Sequence, residues 1–262
     1  MKISELLKED RKQKIAAEEA ARVALINCTD ALKFKHTPIV RGMSGEHCHI
    51  LNGEAGGRTS KNSSNHYTLI LDEILPESGF PLRSKSTICE NWEGRANTRM
   101  YGNLHVILPF NGVKIGVCPQ ADIWHTEVTI GEYTKDLNIW NDEFEMREVR
   151  DASYDTIVND ITQGGSLSKD EDDEYVRWFR RVFGNNKGGY SATRVDKMLR
   201  QAYSPEALKL ALTTTKNPTF NDGKQHELWF SGKCVAMPFK DYKEWILDGK
   251  PDDSERDVSD FL

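Results

Sequence analysis

The chain has 262 residues, of which 38% are hydrophobic and 29% charged, so it describes a globular protein with room for one large domain or two small ones. A formal net charge of -6 excludes a general electrostatic attraction to nucleic acid or membranes. No apolar run approaches the roughly 20 residues that cross a bilayer, and the N-terminus lacks the apolar core of a signal peptide. Five cysteines without a repeated spacing favour reduced thiols and a cytoplasmic location.

The first predicted element is a helix, in one or two pieces, from Ile3 to about Leu32. This stretch is rich in Ala, Glu, Lys and Leu and contains neither Gly nor Pro. Its candidates for a buried apolar stripe are Ile15, Ala16, Val23 and Ile26. We expect residues 1–36 to form a helical N-terminal extension that carries no chemistry.

A short strand is predicted from Thr37 to Met43, and in it Arg41 precedes Gly42. The guanidinium is a planar, permanently charged fork that suits phosphate or carboxylate, and a glycine lets a ligand approach the backbone. The alternative is a surface arginine before a turn.

Residues 44–64 are polar and contain four glycines, which predicts a loop that either folds over a ligand or is plain surface. The triplet His47-Cys48-His49 invites a zinc hypothesis. Adjacent residues of an extended chain point to opposite faces, however, and no second ligand pair stands at zinc-finger spacing. We therefore predict no metal site.

Apolar residues recur at helical spacing from Tyr67 to Leu75, and Pro76 and Gly79 end that run, which predicts a helix lying against a sheet. A strand is predicted next, over residues 80–89. Ser84 and Ser86 would share one face of it because side chains alternate along a strand. Paired hydroxyls suit a sugar or a phosphate, and they are equally ordinary on a wet face.

Two hairpins are predicted further along the chain. Residues 94–100 have helical character, and the strands 104–110 and 113–118 follow, joined by Asn111-Gly112, a strong hairpin signal. A helix that begins at Ser204-Pro205 and runs to about Leu212 leads to the second hairpin or meander.

The first strand of that second hairpin, Gln225 to Phe230, is apolar and has Glu227 at its mouth. Gln225 lies two residues before Glu227 and so on the same face. A solvated strand end is the alternative for this carboxylate.

Residues 127–202 carry the weakest pattern, with a short helix predicted over 155–161 and an acidic loop over 170–174. Glu143 and Glu145 form a second Glu-x-Glu, which we assign to a solvated helix face. Basic residues alternate with aromatic ones over 177–200, which suits either nucleic-acid contact through phosphates and stacking or an internally paired helix.

A last helix is predicted over 241–247, with Trp245 buried. An acidic flexible tail is predicted over 248–262.

These marks, taken in chain order, resemble the Arg-Ser-Glu type of ADP-ribosyltransferase, including phage-encoded mono-ADP-ribosyltransferases. Val40-Arg41-Gly42 resembles the first motif, Arg83-Ser84-Lys85-Ser86-Thr87 the second and Gln225-His226-Glu227 the third. The second motif departs from the usual Ser-Thr-Ser, and a long segment separates Asp122 from Glu227. The resemblance implies an α+β fold, a split β-sandwich over residues 37–247 with a helical insert at about 127–202.

The resemblance also implies a reaction and a set of roles. NAD is the substrate, and Glu227 stabilises the positive charge that builds on the ribose, with Gln225 beside it. Arg41 grips the pyrophosphate, Ser84 or Ser86 fixes the ribose, and Tyr101 faces the nicotinamide. The expected cofactor-binding residues are Arg41, Gly42, Arg58, Ser84, Ser86, Thr87 and Tyr101.

The implied activity is mono-ADP-ribosylation of a macromolecule, protein or nucleic acid, in the cytoplasm, which is the host cytoplasm if the protein is phage-encoded. In the family a Glu at the position of Gln225 accompanies arginine modification, so the resemblance makes arginine the less favoured acceptor here. Two alternatives stay open. One is an NAD glycohydrolase, in which water replaces the acceptor, and the other is a non-catalytic nucleic-acid or partner-binding protein on a degenerate version of the fold.

Overall fold

A computed structural model describes residues 12–55, 66–123, 126, 153–163 and 191–249. These residues form a mixed α+β structure with nine strands in one hydrogen-bonded antiparallel sheet. The strands are β1 Lys12–Ile15, β2 Ile39–Met43, β3 Cys48–Asn52, β4 Thr87–Glu90, β5 Asn103–Pro109, β6 Lys114–Cys118, β7 Ala211–Thr214, β8 Glu227–Phe230 and β9 Lys233–Pro238. The helices are α1 Ala17–Asn27, α2 His66–Ile74, α3 Arg95–Thr98, α4 Tyr154–Gln163, α5 Ala192–Ala202 and α6 Phe239–Tyr242, the last continuing as a wide turn over Lys243–Leu247.

The order of the strands across the sheet is β1-β3-β9-β5-β2-β4-β8-β6-β7. Most neighbours share three to five residue pairs, whereas β2 and β4 are joined by the single pair Val40 and Glu90. The sheet therefore separates at this junction into a five-stranded and a four-stranded part. One apolar cluster contains residues of both parts, among them Ile107, Ala236, Leu228 and Phe230, so the two parts pack on a shared core.

Helices pack against the sheet in two apolar clusters. Helix α1 buries Ala20, Val23 and Ala24 in the shared cluster and contacts β9 and β3. Helices α2, α4 and α5 form a second cluster around the fully buried Trp229 of β8. The helix predicted from Tyr67 to Leu75 is confirmed, and so is its packing against the sheet. None of the helices in the described ranges combines the length and apolarity that a membrane crossing requires.

The predicted N-terminal helix is confirmed over Ala17–Asn27 and wrong over Lys12–Ile15, which pairs with β3 as an edge strand. Ile15 and Val23 are buried as predicted, but Ala16 and Ile26 are exposed. Side chains alternate along β1 with a period of 2, so a stripe drawn with helical spacing fails there. Residues 1–11 lie outside the described ranges.

Both predicted hairpins are wrong in their pairing, although their strands exist. β5 pairs with β2 and β9, while β6 pairs with β7 and β8. The Asn111-Gly112 turn, in which Gly112 has a φ of 77°, carries the chain from one part of the sheet to the other. The turn at Gly232, with a φ of 100°, does the same between β8 and β9.

Three further predictions differ from the structure. Residues 48–52, assigned to a loop, form β3. Of the predicted strand 80–89, only residues 87–89 belong to a strand, β4, and Arg83–Lys85 is a 3-10 turn. The predicted helix after Ser204 is a single turn that ends at Lys209, whose φ is 54°, and β7 follows. The last predicted helix is confirmed, with Trp245 half-buried.

Candidate functional site

The strands that carry the three motifs are consecutive neighbours in the sheet. β2 holds Arg41, β4 directly follows Ser84 and Ser86, and β8 begins at Glu227. Val40 of β2 pairs with Glu90 of β4, and Glu90 pairs with Glu227 of β8. Adjacent strands lie about 4.8 Å apart, so β2 and β8 are separated by roughly 10 Å. Three segments far apart in sequence thus meet at the junction between the two parts of the sheet.

Glu227 lies in a closed environment at the start of β8. Its side chain is 7% exposed, and Oε1 accepts a hydrogen bond from Nη1 of Arg83 in a buried ion pair. Oε2 accepts from the backbone N–H of Ile123 at 3.3 Å. Glu227 is therefore not the solvated strand end of the alternative interpretation, and both of its carboxylate oxygens have protein partners.

Arg83 is the arginine that reaches Glu227. It follows α2 in a turn whose backbone N–H groups at Arg83 and Ser84 donate to the Asp72 carboxylate. Its guanidinium also lies 5.7 Å from the ring centroid of Trp229, on the same face of β8 as Glu227. Asp72 and Trp229 thus fix the turn and the side chain that complete the ion pair.

Burial dominates the electrostatics of the pair. It raises the pKa of Glu227, an effect that Arg83 opposes and Asp122 strengthens. For Arg83 burial lowers the pKa, but the charge and hydrogen bond of Glu227, together with the nearby Asp122 and Tyr67, outweigh burial and the pKa of the guanidinium is raised. Arg83 therefore stays protonated, and its charge is what allows a carboxylate to lie at this depth.

Glu90 supplies a second carboxylate beside Glu227. The two residues are directly paired on β4 and β8, so both side chains lie on one face of the sheet. Nε2 of Gln225 donates to Oε2 of Glu90 at 2.8 Å. Burial raises the pKa of Glu90 to about 7, and the charges of Glu227 and Asp122 add to the effect of burial.

The three hydroxyl residues among the expected cofactor-binding residues have partners within the protein. Ser84 hydrogen-bonds to the Asp72 carboxylate through its side chain, and Ser86 Oγ donates to the carbonyl of Leu82 at 2.6 Å. Thr87 is buried and hydrogen-bonds to the Cys234 thiol. Ser84 lies in the 3-10 turn, so the shared strand face predicted for Ser84 and Ser86 is wrong.

The Arg41 side chain lies on the face of the sheet opposite to Glu227. Side chains alternate along a strand, so Arg41 points away from the face that carries Val40, Glu90 and Glu227. Burial raises the pKa of the Cys234 thiol, and the positive charge of Arg41 counteracts part of that shift, which places the guanidinium toward the shared core. Arg41 itself is half-buried.

Gly42 and Tyr101 meet each other rather than an open cleft. A Cβ on Gly42 would overlap the carbonyl of Thr98 and lie 2.9 Å from Cβ of Tyr101. The glycine is therefore needed for the 3-10 turn Arg99–Tyr101 to pack on β2. The Tyr101 side chain is 58% exposed.

Several predicted residues lie outside the described ranges. They include Arg58 and most of the insert, with Glu143, Glu145 and the basic and aromatic residues up to 190. Residues 192–200 of the predicted nucleic-acid contact belong to α5, where Arg200 pairs with Asp196, Glu73 and Glu77. This arginine fits the internally paired helix of the alternative interpretation.

Two residues of the site escaped the sequence analysis, Arg83 and Glu90. Arg83 stands beside Ser84 in the second motif, but a strand assignment hid the turn that aims it at Glu227. Glu90 is related to Glu227 only by the register of β4 and β8, which no local pattern reveals. Among the described residues no group of three or more His, Cys, Asp or Glu side chains could hold a metal ion, and the five cysteines are free and buried.

The chain was compared with models of protein families, with curated proteins and with solved structures, and none of them matches it.

The role assigned to Arg41 gives a prediction that separates ligand binding from folding. Arg41→Met keeps the apolar stem and removes the charge. If Arg41 holds the pyrophosphate, NAD affinity falls about 10-fold or more, since hydrogen bonds to charged groups contribute roughly 1.5–3 kcal/mol. The thermal midpoint should change little because no described residue forms an ion pair with this side chain. Calorimetric titration with NAD measures the affinity, and equal affinities in variant and wild type would remove Arg41 from the site.

Proposed function

We propose that this protein cleaves NAD and transfers ADP-ribose to a macromolecular acceptor. The observation that carries the proposal is the adjacency of β2, β4 and β8, the strands associated with the three motifs of the resemblance. The paired carboxylates of Glu227 and Glu90 stand on one face of two of these strands. Cleavage of the bond between nicotinamide and ribose develops positive charge on the sugar, and carboxylates in a water-poor site stabilise such charge.

The surroundings of Glu227 and Gln225 suit the roles proposed for these two residues. Glu227, held by Arg83 and the Ile123 N–H, is a fixed negative group for the developing oxocarbenium charge. Gln225 lies near Glu227 in sequence and donates a hydrogen bond to Glu90. In this proposal it orients the acceptor. Arg41 remains the candidate for the pyrophosphate on the grounds of the resemblance. ADP-ribosyltransferase chemistry, the split β-sandwich and cytoplasmic action all belong to this proposal.

Incubation with NAD labelled in the adenylate moiety tests the proposal. Purified protein is mixed with labelled NAD, with and without a bacterial lysate, and nicotinamide release is followed by chromatography. Label on a macromolecule supports transfer, and free ADP-ribose alone supports a glycohydrolase. Absence of nicotinamide release under both conditions contradicts the enzymatic function.

A second candidate function rests on the closed environment of Glu227. Both of its oxygens, and the hydroxyls of Ser84, Ser86 and Thr87, already have protein partners. This arrangement favours a non-catalytic binding protein, in which the motif residues only stabilise the fold. It predicts no nicotinamide release by the wild type, so the same assay separates the two candidates.

A further inference from the structure

Glu90 is an under-compensated carboxylate next to the proposed centre. It is half-buried on β4, and it accepts a hydrogen bond from the neutral amide of Gln225 at 2.8 Å. Glu227 is its direct neighbour on β8, and Asp122 adds further negative charge. The positive charge of the group, Arg83, is already paired with Glu227. In the part of the chain that the structure describes, the carboxylates of Glu227 and Asp122 thus both act on Glu90, whose own hydrogen-bond partner is a neutral amide.

The structure packs closely around this carboxylate. A Cβ at Gly94, in the turn Trp92–Gly94 that follows β4, would overlap Oε2 of Glu90. That turn also carries Glu93. A leucine or glutamine at position 90 would remove the repulsion from Glu227 and Asp122. Stability alone therefore does not explain the carboxylate, and poorly compensated acids of this kind concentrate at functional sites.

We propose that Glu90 is a further catalytic residue, the general base that removes a proton from the acceptor during transfer of ADP-ribose. This inference rests on the proposed function. Gln225 holds Glu90 in position through the hydrogen bond that its Nε2 donates to Oε2. The acceptor is accordingly a neutral group with an O–H or N–H bond, which must lose its proton as it attacks.

The step balances without another reactant. The oxygen or nitrogen of the acceptor forms a bond to the anomeric carbon of the nicotinamide ribose. The bond from that carbon to the pyridinium nitrogen breaks, and its electron pair leaves with nicotinamide, which becomes neutral. The proton of the acceptor passes to the Glu90 carboxylate and then to solvent.

The ionisation of Glu90 gives the step a pH dependence. Burial, followed by the charges of Glu227 and Asp122, raises its pKa to about 7, so the base form grows as pH rises through neutrality. General bases work best with a pKa near the operating pH and contribute about 10²- to 10⁴-fold in rate. Transfer should be slow at pH 5.5 and reach a plateau above pH 8.

Glu90→Gln tests the assignment because the amide can still accept from Gln225 while losing the base. We expect transfer of label from NAD to a bacterial lysate at pH 8 to fall about 100-fold, with the rise near pH 7 lost from what remains. NAD binding should be unchanged. The thermal midpoint at pH 8 should not fall, since the variant removes a charge repelled by Glu227 and Asp122. Glu206→Gln, at an exposed position after α5, is the matched control and should behave as the wild type.

Glu90→Asp distinguishes a base from a structural group. A shorter carboxylate should keep part of the rate and the rise with pH, whereas the amide keeps neither. Equal rates and pH profiles in Glu90→Gln and the wild type would overturn the role of Glu90 and leave the proposed function intact. Equal losses in both variants with an unaltered pH profile would also overturn it. A wild type that releases no nicotinamide at any pH contradicts both proposals.

Discussion

Replacing Glu227 with glutamine should lower nicotinamide release about 100- to 1000-fold, the effect expected when one preorganised group of a water-poor site is removed. The negative charge that would stabilise the oxocarbenium-like sugar is lost, while the shape of the side chain is kept. Release is measured by chromatography over hours, at a temperature well below the thermal midpoint of the variant. Glu206→Gln, at an exposed position, serves again as the control for the loss of a carboxylate.

Glutamine also changes the hydrogen bonds around position 227. Arg83 and the Ile123 N–H are both donors, and an amide offers one oxygen where the carboxylate offered two. One donor therefore faces the amide N–H₂ group, and the thermal midpoint falls. A variant that is less stable but cleaves NAD at the rate of the wild type would assign Glu227 a purely structural role and would falsify its catalytic assignment.

Local patterns predicted much of the secondary structure. The spacing of Tyr67, Ile70, Leu71 and Ile74 predicted α2 because a buried helix face repeats every 3 to 4 residues. The Asn111-Gly112 turn and its flanking strands were also found. Their pairing was not, because a turn signal reports only local geometry, and the choice of β9 as the partner of β5 depends on residues far away in sequence.

The site was less accessible to sequence reasoning than the fold. Glu227 was selected because it heads an apolar strand and follows two other motifs in chain order, and its burial excludes a solvated strand end. The ion pair of Glu227 with Arg83 was not predicted, because the residues around Arg83 were assigned to a strand and not to a turn. A one-residue offset on β2 decides which face Arg41 takes, and a 3-10 turn in place of a strand decides where Arg83 points. Both are set by tertiary register.

The buried ion pair leads to the largest expected change in stability. Arg83→Met should lower the free energy of unfolding by about 3–5 kcal/mol, because it leaves the Glu227 carboxylate buried without its counter-charge. The matched variant Arg41→Met, also arginine to methionine, should cost less than about 1 kcal/mol. Urea titrations followed by intrinsic tryptophan fluorescence, to which the fully buried Trp229 contributes, measure both.

The loss in Arg83→Met should depend on pH with a definite sign. Without Arg83, burial raises the pKa of Glu227 further above its unfolded value, so the folded state binds more protons than the unfolded state near neutrality. Stability then falls as pH rises. The difference between variant and wild type should therefore be larger at pH 8 than at pH 5, and a difference that shrinks with rising pH would contradict the pairing of Arg83 with Glu227.

A double-mutant cycle separates the pair from the packing around it. In Arg83→Met/Glu227→Leu both charges are gone, and no buried group is left without a counter-charge. Replacing a buried ion pair by apolar residues is often neutral or stabilising, so the double variant should recover most of the stability that Arg83→Met loses. If the losses of stability in Arg83→Met and Glu227→Leu simply add up in the double variant, Arg83 does not stabilise the fold through Glu227, and its contact with Trp229 accounts for its contribution. Recovery of stability without recovery of NAD cleavage would instead show that the charge of Glu227 is retained at this depth for a reason other than folding.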